Sequence, residues 1–264
     1  MTPILQKSLP HAPWMKEQTW KMPGIQPLDP ATWLHVDEAF AGQMALRDGM
    51  IDALQQDFYA QLPEAEEAAQ ECLDHVLEAC AANPAYDVRP RRVVRPDGVK
   101  VTVHRSRPLL TIGRLIQEDI CLMQPGPDGH ILTGAILCFP ASWTLSEKIG
   151  RPLVRIHKPV REYDDDTARR VQRLFDGIRV GRPMWRANAH LYDTPDLFTP
   201  RREDEPHRKI GDNPCYLRSE RQTLTRLPKS GAVVFAIHTY VVHIDDLTPD
   251  QRTGLETVRR KTEG

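Results

Sequence analysis

Cysteine is scarce and poorly spaced for chemistry: five residues, Cys72, Cys80, Cys121, Cys138 and Cys215, an odd number without a CxxC pair. That spacing argues against a disulfide framework or a zinc ribbon, and the thiols read as small buried apolar groups. Long apolar runs are missing as well. Stretches such as Gly231-Ala-Val-Val-Phe-Ala-Ile237 fall far short of the roughly 20 residues a spanning helix needs. The N-terminal residues lack a basic stretch followed by a long apolar one, so the expected location is the cytoplasm. No charge of one sign dominates: 35 basic residues against 36 acidic give a net charge of -1, with bases interspersed among acids. Nucleic acid is therefore not an expected partner, and small molecules or proteins are. HExxH, nucleophile-elbow and phosphate-loop patterns are absent, which removes zinc hydrolysis, α/β-hydrolase chemistry and kinase chemistry from consideration.

What is present is an ordinary globular composition, 40% hydrophobic and 27% charged, on 264 residues. Six prolines and two tryptophans, Trp14 and Trp20, mark the first 30 residues as an extended arm anchored by aromatics. Helical spacing of Phe40, Met44, Ile51, Leu54 and Phe58 predicts a helix from Asp37, its cap, until Pro63 stops it. A second helix is predicted from Glu64 to Ala82, with its glutamates on a solvated face.

Strands then dominate. Val101–His104 is short; Leu115–Met123 and His130–Phe139 are longer and form a hairpin about Pro125-Gly-Pro-Asp-Gly129. A looped stretch to Val160 precedes a helix opened by Asp165 or Asp166. Strands at Met184–Leu191, Tyr216–Thr225 and Ala232–Val242 follow, the last two joined by Leu227-Pro-Lys-Ser-Gly231. The fold class expected is α+β: an antiparallel sheet with helices inserted between its second and third strands, an order compatible with a PAS fold. The expected division is an N-terminal arm and helical extension over 1–95, a PAS-like domain over 96–246 and a polar, weakly helical tail over 247–264.

Several stretches, in order, resemble the haem-dependent oxidative N-demethylase family. They are Leu28-Asp-Pro-Ala-Thr-Trp33, Val36-Asp37, Leu115-Ile-Gln-Glu-Asp-Ile-Cys-Leu-Met123, Cys138-Phe-Pro-Ala-Ser-Trp143, Glu147-Lys-Ile-Gly150, Ile156-His-Lys-Pro-Val160, Leu217-Arg-Ser-Glu-Arg-Gln-Thr-Leu224 and Arg226-Leu-Pro228. The sequence departs from the family pattern at Arg161, where a proline is usual, and in Arg186-Ala-Asn-Ala189, where a tryptophan is common. The resemblance implies a PAS-type enzyme that binds haem b and uses oxygen to oxidise a small, dimethylamine-like N-methyl amine, releasing formaldehyde. It covers the catalytic haem subunit only. Without a GxGxxG loop or an iron–sulfur cysteine set, electrons have to pass through a separate electron-transfer subunit or reductase. A non-catalytic haem or small-ligand sensor is the competing reading, since PAS folds serve both.

Haem iron needs an axial donor, and His157, just before the helix opened near Asp165, is the first candidate, with His190 and His238 as alternatives. Arg218 and Arg221 are candidates for gripping propionates, or members of a cross-strand ion network. Trp143 and Trp185 are candidates to pack on the porphyrin or cage an alkylammonium, or simply core aromatics. Glu118, Asp119 and Glu220 are the candidate catalytic carboxylates; Glu118 and Asp119 adjoin on one strand, so one of them is expected to face inward.

Overall fold

The computed structural model describes residues 2–21, 23–53, 55–157, 165–206, 208, 210–211 and 213–263, with the side chains at 55–56, 157, 165–168 and 260–263 outside that description. In chain order the helices are α1 (Glu17–Trp20), α2 (Phe40–Ala53), α3 (Gln55–Phe58), α4 (Glu66–Ala82), α5 (Pro108–Gly113), α6 (Leu153–His157), α7 (Asp165–Gly177) and α8 (Pro249–Glu263). The strands are β1 (Gln26–Pro27), β2 (Tyr59–Gln61), β3 (Asp87–Arg89), β4 (Arg92–Val94), β5 (Lys100–Thr102), β6 (Asp119–Gly126), β7 (Gly129–Ile136), β8 (Met184–Ala187), β9 (His190–Tyr192), β10 (Tyr216–Arg226) and β11 (Val233–His243).

The main sheet runs β1-β8-β10-β11-β6-β7-β2, antiparallel throughout, with β9 also on β10; β3, β4 and β5 form a separate small meander. The class is α+β. Between β7 and β8 the chain makes α6 and α7. Both hairpins form where alternation and turn residues foretold them. In the first the loop is two residues, closed by Gly126 opposite Gly129, whose φ of +104° suits glycine.

Each sheet face packs on its own helices. On one, the α4 face, Leu73 and Val76 of α4 and Leu109 and Ile112 of α5 meet Ile120, Leu122, Ile136, Val234 and Ala236. On the other, the α7 face, Val171, Phe175 and Ile178 meet Cys121, Met123, Leu224, Val233 and Ile237. The carbonyls that end α7 are collected by Arg226 of β10, whose guanidinium donates to Phe175 O (2.7 Å), Ile178 O (2.6 Å) and Gly231 O (2.6 Å). One arginine thus ties the last hairpin to the helix that covers it.

Several expectations are corrected. β2 was read as helix, but its three residues pair with β7 at the sheet edge; with β1 on β8, residues before 96 contribute strands to the main sheet. The strand expected from Leu115 starts only at Asp119, because α5 occupies the preceding turn. Met184–Leu191 breaks at Asn188, whose side chain accepts from Glu220 N and donates to Glu220 Oε2. Glu71 does not face solvent with the other α4 glutamates. It is buried and accepts from Lys229 N, Ser230 N and Ser230 Oγ, anchoring the β10–β11 turn.

The arm wraps the body. Trp14 is buried, with Nε1 donating to Gln251 O, whereas Trp20 is exposed and anchors nothing. The tail it clamps is a full helix, α8, started by a reciprocal capping box between Thr248 and Gln251. Further back in the arm, Gln6 fills a gap in the sheet. β6 pairs with β11 only as far as Ile237, and beyond it Gln6 N donates to Val241 O (2.9 Å) while Gln6 Oε1 accepts from Val241 N (2.8 Å).

Candidate cofactor site

Four of the five cysteines are buried, as expected, and burial pushes the Cys72, Cys80 and Cys138 thiols up to about 12. They are inert at neutral pH. No helix among the described residues is long and apolar enough to cross a membrane.

On the α4 face, beneath the arm, ionisable side chains gather around His238. Its Nδ1 lies 3.0 Å from Glu118 Oε1 and its Nε2 3.0 Å from Asp37 Oδ2, and its side chain is fully buried. Gln6 and Gln117 donate to the same Asp37 carboxylate. Nearby, His35 Nδ1 meets the Tyr240 hydroxyl at 2.6 Å and His11 Nε2 meets Ser219 Oγ at 2.9 Å. Burial alone would push His238 down, but Glu118 and Asp37 outweigh it and raise it to about 9. Asp37, also penalised by burial, is held at about 2 by His238 and the amide donors. Burial first, then Arg221 and His238, lower His35 to about 4 and His11 to about 3.

The cluster therefore holds one imidazolium between two carboxylates and two neutral imidazoles. It has a pH signature. His238, raised from 6.5, contributes stability that is complete below about pH 6.5 and is lost as pH rises through about 9. His35 and His11, lowered from 6.5, contribute stability that is complete above pH 6.5 and is lost as pH falls towards about 4 and about 3. Urea unfolding followed across pH should show greatest stability near pH 6.5, and His238→Gln should abolish the decline on the alkaline side while keeping the acid limb. A wild-type profile flat up to pH 9 would contradict the charge assigned to His238.

This cluster is ill suited to iron. Both nitrogens of His238 are engaged by carboxylates, so neither is free to coordinate. Among the described residues no group of three or more His, Cys, Asp or Glu is arranged to hold a metal ion. Arg221 donates to Trp33 O (3.0 Å) and Thr32 O (2.7 Å), fixing the loop that carries His35. Arg218 donates to Leu197 O (2.9 Å) and Phe139 O (2.6 Å). Both are loop staples with their forks turned to backbone carbonyls, a correction to their reading as propionate clamps.

The candidate carboxylates also separate. Glu118 and Asp119 are both buried, where one was expected inside, because both sides of the strand's start are covered. Glu118 belongs to His238. Asp119 bonds Arg47 Nη1 at 2.6 Å and accepts from Cys138 N (2.7 Å) and Phe139 N (2.8 Å). Glu220 stands apart from them, bonded to Asn188 Nδ2 and Gln222 Nε2, with Arg218 3.6 Å away. The two tryptophans lie on opposite sheet faces and cannot bracket one ligand: Trp185 beside His11 and Arg221, Trp143 against the α7 layer. His190 is exposed on β9. His157 closes α6, which packs on β7 and α7, and its side chain lies outside the described residues.

Among the described residues, the α7 face leaves one side chain of a central strand only partly covered. Phe235, in the interior of β11, is only half-buried. It belongs to a cross-strand row of Cys121, Phe235, Leu224 and Met184, and the half-buried apolar side chains of Trp143, Ile156 and Leu174 pack on the same layer. Trp143 follows Ser142, a non-glycine residue at φ +60° held by its N–H on Thr199 O. In the next row towards Glu220 come Gln222 and Arg186, linked at 2.8 Å. Met184, at the end of the apolar row, joins Leu174 and Ile178 in lining a groove of about 340 Å³ rimmed by Arg173, Arg179 and Arg182.

A family model described as haem-dependent oxidative N-demethylase, alpha subunit-like, matches residues 24–261. The chain belongs to this family. The N-demethylase family is one of oxidoreductases, and its description is that of one subunit of a larger enzyme that depends on haem. The residues on the α7 face fit that group. Half-buried apolar side chains suit a macrocycle, and guanidiniums at the groove suit its carboxylates. Neither the half-buried Phe235 nor the groove is marked by a sequence signal. Phe235 sits in an unbroken apolar run, and the five arginines between 169 and 182, against one aspartate, were averaged into a balanced total.

Proposed function

We propose that the chain is the haem-binding catalytic subunit of an oxidative N-demethylase, taking haem b on the α7 face and oxidising a small N-methyl amine, dimethylamine-like, with oxygen to formaldehyde and the demethylated amine. The observation that carries this reading is the set of half-buried apolar side chains, Trp143, Ile156, Leu174 and Phe235, on one sheet face in a member of this family. The scaffold is PAS-like: of the five longer-range strands β6, β7, β8, β10 and β11, the first two precede the helices, and the first and last are neighbours.

His157, at the C-terminal end of a helix packed on this layer, would supply the imidazole that holds the haem iron. Bound haem supplies the redox chemistry. The protein's part is to hold and orient. Trp143, Leu174 and Phe235 would shield bound haem from water. Glu220 is the one candidate carboxylate in line with this face, two residues along β10 from Gln222, and its Oε1 is the atom proposed to hold an ammonium proton and receive it as the amine is oxidised. Glu118 and Asp119 serve instead to fix the sheet's end. Electrons are exchanged with a separate subunit or reductase.

The test is direct. The full chain should develop a Soret band on titration with haem b, reaching about one haem per chain. The loaded chain, given oxygen, an electron partner and secondary N-methyl amines, should release formaldehyde. A chain that stays colourless overturns the reading, and a haem protein that yields no formaldehyde from any such amine is a sensor.

A further inference from the structure

The geometry points to Arg173, Arg179 and Arg182 as the anchor for the two propionate carboxylates of haem, at the rim of the α7 face; this deepens, and rests on, the haem reading above. The groove they line, about 340 Å³, has an apolar floor of Leu174, Ile178 and Met184. Met184 is the last member of the row that runs through the buried Leu224 and the half-buried Phe235 to the buried Cys121, so the groove and Phe235 lie on one face of the sheet. A ligand that lies on this face and reaches the groove has to be apolar over most of its area and anionic at one edge. Haem has that chemistry, with both carboxylates on one side of the macrocycle.

The three guanidiniums are unsatisfied in a way their neighbours are not. Among the described residues none of them has a carboxylate or carbonyl partner, whereas Arg226, close by, places its donors on three carbonyls. Asp176, the one acid between residues 169 and 182, accepts from Gln172 Nε2 at 2.8 Å and lies 3.6 Å from His130. Three like charges therefore surround one groove without a counter-ion, an arrangement that repels itself until an anion arrives. Guanidiniums meet carboxylates in paired, planar hydrogen bonds, which makes arginine the suitable residue for this role. Arg218 and Arg221 place donors on backbone carbonyls, whereas these three line the groove.

The experiment compares two porphyrins on the full-length protein, haem b and its dimethyl ester, which keeps the iron and ring and loses both carboxylates. Soret titrations of the wild type should show the free acid binding about tenfold or more tightly than the ester, as expected for charge-assisted pairs. The R173Q/R179Q/R182Q variant, altered only at exposed side chains, should bind acid and ester alike, with ester affinity unchanged from the wild type. A variant that keeps the preference for the acid places the carboxylates elsewhere and overturns the inference. So does a wild type that binds both porphyrins equally, a comparison that needs no variant. Failure of either porphyrin to bind the wild type overturns the haem reading itself, and is distinguishable from both.

Discussion

Replacing Asp119 with alanine should destabilise the fold by about 3–5 kcal/mol, the cost of leaving one partner of a buried ion pair without the other. The Asp119 carboxylate lies 2.6 Å from Arg47 Nη1, with both side chains essentially without solvent exposure. Arg47 also donates to Gly113 O, Gln117 O and Glu118 O, and Asp119 receives the Cys138 and Phe139 N–H groups. The pair therefore joins α2, the end of α5, the start of β6 and the exit of β7 in one bonded knot. Asp119→Ala strands a cation and two amide donors at once. Urea unfolding followed by circular dichroism measures the loss. The double variant Arg47→Met/Asp119→Leu should recover part of it by removing the stranded charge, and a single variant within about 0.5 kcal/mol of wild type would contradict the account.

His157→Ala should remove most of the Soret absorbance from the haem-loaded chain while leaving its circular dichroism unchanged. The expectation follows from His157 as the axial donor, at the end of a helix on the α7 face. Two controls separate ligation from stability. His190→Ala, at an exposed position, should keep the wild-type spectrum. His238→Ala removes the cation between Glu118 and Asp37, so it should lower the unfolding free energy and leave the spectrum of the folded fraction intact. A folded His157→Ala protein with an unchanged Soret band, beside a His190→Ala protein that has lost it, would move the ligand to β9.

How much of this was legible depended on range. The hairpin of β10 and β11 could be read because alternation and a proline–glycine turn are local signals. β2 could not, because Tyr59, Ala60 and Gln61 continue the spacing of the helix before them and are made a strand only by pairing with Gly134–Ile136. Asp37 was expected to cap the helix but lies in the turn before α2, where it accepts from Ala39 N, and its second role required knowing that His238, about two hundred residues later, ends beside it. Arg218 and Arg221 read as open forks because a sequence does not show which carbonyls a loop will present. Phe235 was unreadable for the opposite reason. Its exposure is a property of what fails to cover it.

The family match begins at residue 24, yet the edge of β11 beyond Ile237 is closed by a residue that lies well before it. Gln6 answers both the N–H and the carbonyl of Val241, and shares Thr239 O with Gln43. A polypeptide cut to the matched segment alone would present bare strand edge in the middle of the sheet, the kind of surface on which chains pair with copies of themselves. The sheet of this member is therefore completed by a residue outside the matched segment.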